Sequence, residues 1–169
     1  VPEFTDFQGG GRWAGPIRKD KFFLFANLEL VRRSQPALAE AGTAGSNFSS
    51  ELIHAIADTL ISRYDYDPGS QAGETVGTQS NKIFLRFDAN LGKKHFLTIR
   101  DNLVVASQDE LERSQAVYNF GNQGFVHRST TNSLVAELRS IPNGQLSNKL
   151  LISLSSTWDE RDFEGRVFP

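Results

Sequence analysis

Apolar and polar residues alternate along this chain in several separate runs, and the alternation predicts strands. From Phe22 to Val31 the even positions are Phe22, Leu24, Ala26, Leu28 and Leu30, while the odd ones turn polar at Asn27 and Glu29. A period of two with one apolar face is the signature of a half-buried strand. The same pattern returns in 81–91, where Ile83, Leu85, Phe87, Ala89 and Leu91 oppose Arg86, Asp88 and Asn90. In 95–106, Leu97, Ile99 and Leu103 oppose Thr98, Arg100 and Asn102. In 131–141, Leu134, Ala136 and Leu138 oppose Ser133, Glu137 and Arg139; in 149–158, Leu150, Ile152 and Leu154 oppose Ser153, Ser155 and Thr157. With a less regular first run at 10–17 and the second taken as 21–31, six strands are expected.

The connections fall into two length classes. Short turns are expected at Arg18-Lys19-Asp20-Lys21, at Gly92-Lys93-Lys94-His95 and in 142–148, and long connections over 32–80, 107–130 and 159–169. A membrane barrel does this, with tight turns at one end and working loops at the other, whereas soluble sandwiches favour connections of about 2–6 residues at both ends. The strands are expected to run for about 9–11 residues, the span needed to cross hydrocarbon at a tilt. Within the first long loop, Leu52, Ile53, Ile56 and Leu60 follow a Ser cap and predict a short amphipathic helix over 50–61.

On this reading the fold is all-β, an antiparallel transmembrane β-barrel segment with a short helix in a long extracellular loop. Phe22, Leu24, Leu28, Ile83, Leu85, Phe87, Leu97, Ile99, Leu134, Leu138, Leu150, Ile152 and Leu154 are expected to face outer-membrane lipid. Asn27, Glu29, Arg86, Asp88, Asn90, Arg100, Asn102, Glu137 and Arg139 are expected to face a wet lumen. Trp13, Phe22, Phe23, Phe96 and Trp158 are expected near strand ends, where an interfacial girdle sits. Asp101 shares the parity of Ile99 and Leu103, so it calls either for a position near the interface or for a bulge.

Composition narrows the field further. Lys and Arg number 18 against 20 Asp and Glu, a formal net charge of −2 that gives no electrostatic footprint for nucleic acid. Cysteine is absent, which excludes disulfides, thiol catalysis and zinc–thiolate sites. No apolar run reaches the length of about 20 residues that a transmembrane helix needs. Methionine is absent, Val1-Pro2 carries no leader and Phe168-Pro169 ends without a cap, so the sequence reads as an excerpt.

Candidate chemistry is sparse. His54, His95 and His127 are scattered without metal-ligand spacing, and structural or solvated roles are expected. Gly9-Gly10-Gly11 lacks the flanking strand and helix of a phosphate cradle. Asp65, Asp67 and Pro68-Gly69 read as a turn, since the ligand ladder of an EF-hand is missing. Asp109, Glu110, Glu112, Asp159, Glu160, Asp162 and Glu164 are expected on outer loops, as a solvated rim or a contact for substrate, partner or cations. Neither an enzyme nor a cofactor is expected. The helix reads as a lid element, although Leu52, Ile56 and Leu60 could face a surface lipoprotein or another envelope partner.

Gly15-Pro16-Ile17-Arg18-Lys19-Asp20-Lys21-Phe22-Phe23-Leu24-Phe25, with Glu29 and Arg32-Arg33, resembles the first barrel hairpin of Oar-like TonB-dependent receptors, common in Bacteroidetes. Tyr64-Asp65-Tyr66-Asp67-Pro68-Gly69, Asn81 to Asn90, Lys94 to Arg100, Asn132 to Leu138 and Ser147-Asn148-Lys149-Leu150 follow that family in order and spacing. Gly11-Arg12-Trp13-Ala14-Gly15 departs from it, because a second Gly more often precedes the Gly-Pro pair. The resemblance implies a location in the bacterial outer membrane and a barrel of about 22 strands. It implies a plug domain outside this sequence, a TonB complex acting through that plug, and energised uptake of a nutrient. A soluble β-sandwich binding or adhesion module is the alternative, and an Oar-like barrel serving surface adhesion or scaffolding is another.

Overall fold

In the computed structural model, residues 4–163 and Gly165 are described. Their six strands form one antiparallel sheet in sequence order. The strands are β1 (Thr5–Arg18), β2 (Phe22–Pro36), β3 (Thr75–Asn90), β4 (His95–Glu110), β5 (Phe125–Asn143) and β6 (Leu146–Phe163), with one helix, α1 (Ser50–Tyr64). All the strands are longer than the alternation predicts. The ladder needs backbone N–H and C=O groups, not apolar side chains, so polar runs such as Thr75 to Ser80 and Asp159 to Phe163 still pair.

Two of the three short connections shrink accordingly, to 19–21 and 144–145, while the second keeps four residues, 91–94. Lys21 N–H donates to Arg18 O to close the first turn, with Asp20 left-handed at φ 60°. Gly92, at φ 89°, carries the second in a conformation that disfavours other residues. In the third, Asn143 Oδ1 accepts from Gln145 N–H and Leu146 N–H, so only Gly144 and Gln145 lie outside the strands. The long connections cover 37–74 and 111–124, at the opposite end of the sheet.

Gly9-Gly10-Gly11 belongs to β1 and pairs with Leu28 to Leu30. A Cβ on Gly10 would lie 2.4 Å from the Leu28 carbonyl oxygen, so close backbone approach explains glycine there.

No second layer covers this sheet among the described residues, and of its side chains only Ala89 counts as buried hydrophobic. The chain exposes 11821 Å², where a compact monomer of its 18.8 kDa would expose about 8300 Å².

The conventional core lies in a cap made by the two long connections. Ile53 and Ala57 of α1 meet Phe120, with Ala41, Phe48, Leu60 and Tyr118 packed around them. The second connection thus supplies two aromatics of this core, Phe120 and Tyr118. The inward row of α1 is Ile53, Ala57 and Leu60, while Leu52 and Ile56 are exposed. Leu60 is therefore not on the outer row with them. Ala57 wins the inner position because a small side chain lets the helix approach most closely.

Candidate functional site

Cross-strand partners share a face, so the register sorts the side chains. One row runs Phe22, Ala89, Leu97, Leu138, Leu150; the next on that face runs Leu24, Phe87, Ile99, Ala136, Ile152. Leu85 and Leu134 follow with Leu154, then Leu28 with Ile83 and Leu103. The register thus gathers all thirteen residues of the expected lipid-facing set on one face, hereafter face A. Opposite, on face B, it gathers Asn27, Glu29, Arg86, Asp88, Asn90, Arg100, Asn102, Glu137 and Arg139.

The aromatic expectation needs correction. Phe22 and Trp158 lie on face A towards its two ends, and Trp13 lies mid-strand on that face. Phe23 and Phe96 are on face B, because each stands one residue from a face A position. Asp101 is resolved too: pairing is unbroken on both sides of it, so no bulge changes its parity. It sits on face A between Leu85 and Leu134 and accepts a hydrogen bond from Asn132 Nδ2 at 3.0 Å.

Face B is polar but not uniformly wet in character. Towards the loops it carries an ion pair between Lys82 and Glu29 at 2.7 Å, and hydroxyls of Ser129, Thr131 and Thr157. Towards the short turns, Phe25 and Phe84 meet edge-on at 5.8 Å beside Phe23, and Arg139 lies 4.9 Å over the Phe96 ring. Asp88 takes Arg86 Nε at 2.8 Å and a second guanidinium N–H at 2.9 Å, and Thr98 Oγ1 donates to it at 2.7 Å. Glu137 takes Lys149 Nζ at 3.0 Å.

The cap is bound by a residue the sequence reading passed over. The Arg113 side chain is fully buried and donates to Glu40 Oε1 at 2.8 Å and to Asn119 O at 2.9 Å, with its guanidinium 4.6 Å over the Tyr118 ring. Glu40 comes from the first long connection, so this ion pair ties it to the second. Gly121 N–H to Ser70 O and Asn122 N–H to Pro68 O add backbone ties. The available signal was the spacing of Arg113 before Tyr118-Asn119-Phe120, aromatic residues in an otherwise polar stretch.

Ser49 caps α1 by accepting from Leu52 N–H at 3.2 Å. Glu51 accepts from its own backbone N–H, and then from Ser49, which together hold its carboxyl below the ordinary 4.5. Asp65 ends the helix in the left-handed region at φ 50°. Asp67 Oδ1 accepts from Gly69 N–H, a turn stabilised by its own side chain.

The expected loop carboxylates are redistributed. Asp109 and Glu110 belong to β4, and Asp159, Glu160 and Asp162 to β6; Glu164 lies outside the described residues. Arg128 holds Asp162 at 2.6 Å and Asp109 accepts from Gly77 N–H. His54 is on α1, His95 Nδ1 lies 2.8 Å from Ser140 Oγ, and His127 Nε2 lies 3.7 Å from Asp159. Among the described residues no three His, Asp or Glu side chains are grouped to hold a metal. No helix among them is long and apolar enough to cross a membrane, which says nothing of strands.

No protein-family model, curated protein or solved structure matches the chain.

Proposed function

We propose that these strands are part of a transmembrane β-barrel in a bacterial outer membrane, belonging to a TonB-dependent transporter that takes up a nutrient. Face A carries this reading: rows of Leu, Ile and Phe lie on an open sheet that no second layer covers among the described residues. Apolar surface of that extent needs an apolar neighbour. From the Phe22 row to the Leu30 row the face extends eight residues, about 27 Å along a strand, comparable with the apolar band of about 25 Å on outer-membrane barrels.

A second support is stagger. His95 begins β4 two residues below the row of Phe22, and Leu146 begins β6 two residues below the row of His95. One residue per strand, about 3.3 Å against a strand spacing of about 4.8 Å, corresponds to a tilt of about 35°, the low end of the barrel range of about 35–45°.

The open edges of β1 and β6 also suit a sheet that continues, since long unpaired edges are templates for further strands. The TonB-dependent assignment rests on the sequence resemblance. A soluble β-sandwich module would need another sheet over face A. Exposed Leu38, Leu52 and Ile56 on the cap favour, as a second reading, an envelope partner seated there on a barrel used as a scaffold.

The test is the intact protein. Recovery in the outer-membrane fraction with heat-modifiable gel mobility is expected, and a monodisperse, detergent-free soluble monomer overturns the membrane assignment. Energy-dependent uptake abolished by loss of TonB is the separate readout for transport.

A further inference from the structure

We infer that the turn-side part of face B holds a carboxylate-binding site in which Arg100 is the principal donor. The ligand would be a carboxylate, whether a side chain of a polypeptide segment lying on this face or a free small carboxylic acid. The inference rests on the geometry of face B and does not require that face to line a lumen.

Arg86 and Arg100 stand directly opposite each other on β3 and β4. Like charges in that position repel. Asp88 is hydrogen-bonded to only one of them: its two oxygens are engaged by Arg86 and Thr98 at 2.7–2.9 Å, and Arg100 meets its charge only through space. Glu137, diagonal to Arg100, is held by Lys149 at 3.0 Å. No carboxylate among the described residues lies within ion-pair distance of Arg100, and its Nε is shielded from solvent without a hydrogen-bond partner. The terminal guanidinium N–H groups of Arg100 are not shielded in this way and make no hydrogen bond among the described residues, so they are the donors an incoming acceptor can reach.

The surroundings select the acceptor. A recess lined by Phe23, Phe25, Phe84, Arg86, Asp88 and Arg100 opens on this face. Its phenylalanines lower the local dielectric, which strengthens a charge-assisted hydrogen bond. A guanidinium fork matches a planar carboxylate with two parallel N–H···O bonds. Asp88 guards the recess against doubly charged tetrahedral anions, whose extra charge it would repel.

The experiment uses the intact protein in the medium that keeps it monodisperse. A photo-crosslinking benzophenone amino acid replaces Phe25, and crosslinked peptides are identified by mass spectrometry. In parallel, propionate, a singly charged carboxylate, is titrated against thermal unfolding at constant ionic strength, with sulfate for comparison. Capture of a peptide bearing Asp or Glu, diminished in Arg100→Gln, identifies a polypeptide source. Propionate stabilisation that weakens roughly tenfold to hundredfold in apparent affinity in Arg100→Gln identifies a free acid.

Arg100→Lys keeps the charge without the fork and is expected to fall between, which serves if the glutamine variant does not fold. Arg139→Gln, on the same face but stacked on Phe96, is expected to leave either signal unchanged. Absence of both signals, equal response to sulfate, or indifference to Arg100 overturns the site. None of these outcomes depends on membrane fractionation, so the site and the barrel reading fail separately.

Discussion

In the cap, Ile53 is 3 % exposed and Ala57 0 %, whereas in β6 Leu150, Ile152 and Leu154 are 57 %, 55 % and 64 % exposed. The two regions use similar residues under opposite conditions. The cap hides its apolar groups against one another and closes over Arg113, so it needs no apolar medium around it. The sheet satisfies its backbone through neighbouring strands and leaves its apolar side chains to whatever medium surrounds face A. A region of the first kind brings its own core; one of the second kind depends on its solvent.

The strongest way to break that contrast is Arg113→Ala. Removing the cation from a buried pair leaves Glu40 uncompensated, and a loss of about 3–5 kcal/mol in the cap is expected. Hydrogen exchange should then accelerate in 37–74 and 111–124 while the strand amides stay protected. Equal loss in both would mean that cap and sheet are one cooperative unit.

Ile99→Arg tests the sheet from the other side. In a bilayer a cation at this central face A position should cost about 2–4 kcal/mol by reversible unfolding into denaturant. Ser133→Arg, on face B, should change stability by no more than about 0.5 kcal/mol. If the two substitutions cost the same, face A does not meet hydrocarbon.

Smaller changes sharpen the cap. Ala57→Leu overfills the α1 contact and should destabilise the cap by about 1–3 kcal/mol, read from proteolysis of the long connections. Ser49→Ala removes the helix cap for about 1 kcal/mol. The smallest effect is pH. The Glu51 carboxyl is held below 4.5 when folded, so its contribution is present above that value and is lost as pH falls below it. Circular dichroism should show slight fraying of α1 on acidification, and the Glu51→Gln variant should be flat over the same interval.

Alternation made the sheet legible because side-chain parity is set by the pleat. The same property made Phe23 and Phe96 deceptive: counting aromatics near strand ends ignores which face each occupies. Strand ends were underestimated where the pattern fades at Thr75 to Ser80, since backbone pairing outlives apolar alternation. The helix was visible in its Ser49 cap and its apolar spacing, but the inward row was not, because Ile53, Ala57 and Leu60 are chosen by Phe120 and Tyr118, far away in sequence. Arg113 escaped for the same reason. A lone arginine says nothing of burial until the chain brings Glu40 to it.

The staggered starts of β2, β4 and β6 bear on how any depth measurement on this sheet is read. With the three hairpin tips placed on one horizontal, residues at equal altitude are not hydrogen-bonded partners; they lie along a diagonal contour. Leu30, Leu103 and Leu154 share one such contour, although the ladder sets them on different rows. Spin labels at those three sites should report the same immersion to a lipid-soluble quencher, and Asp101 lies one side-chain step below them.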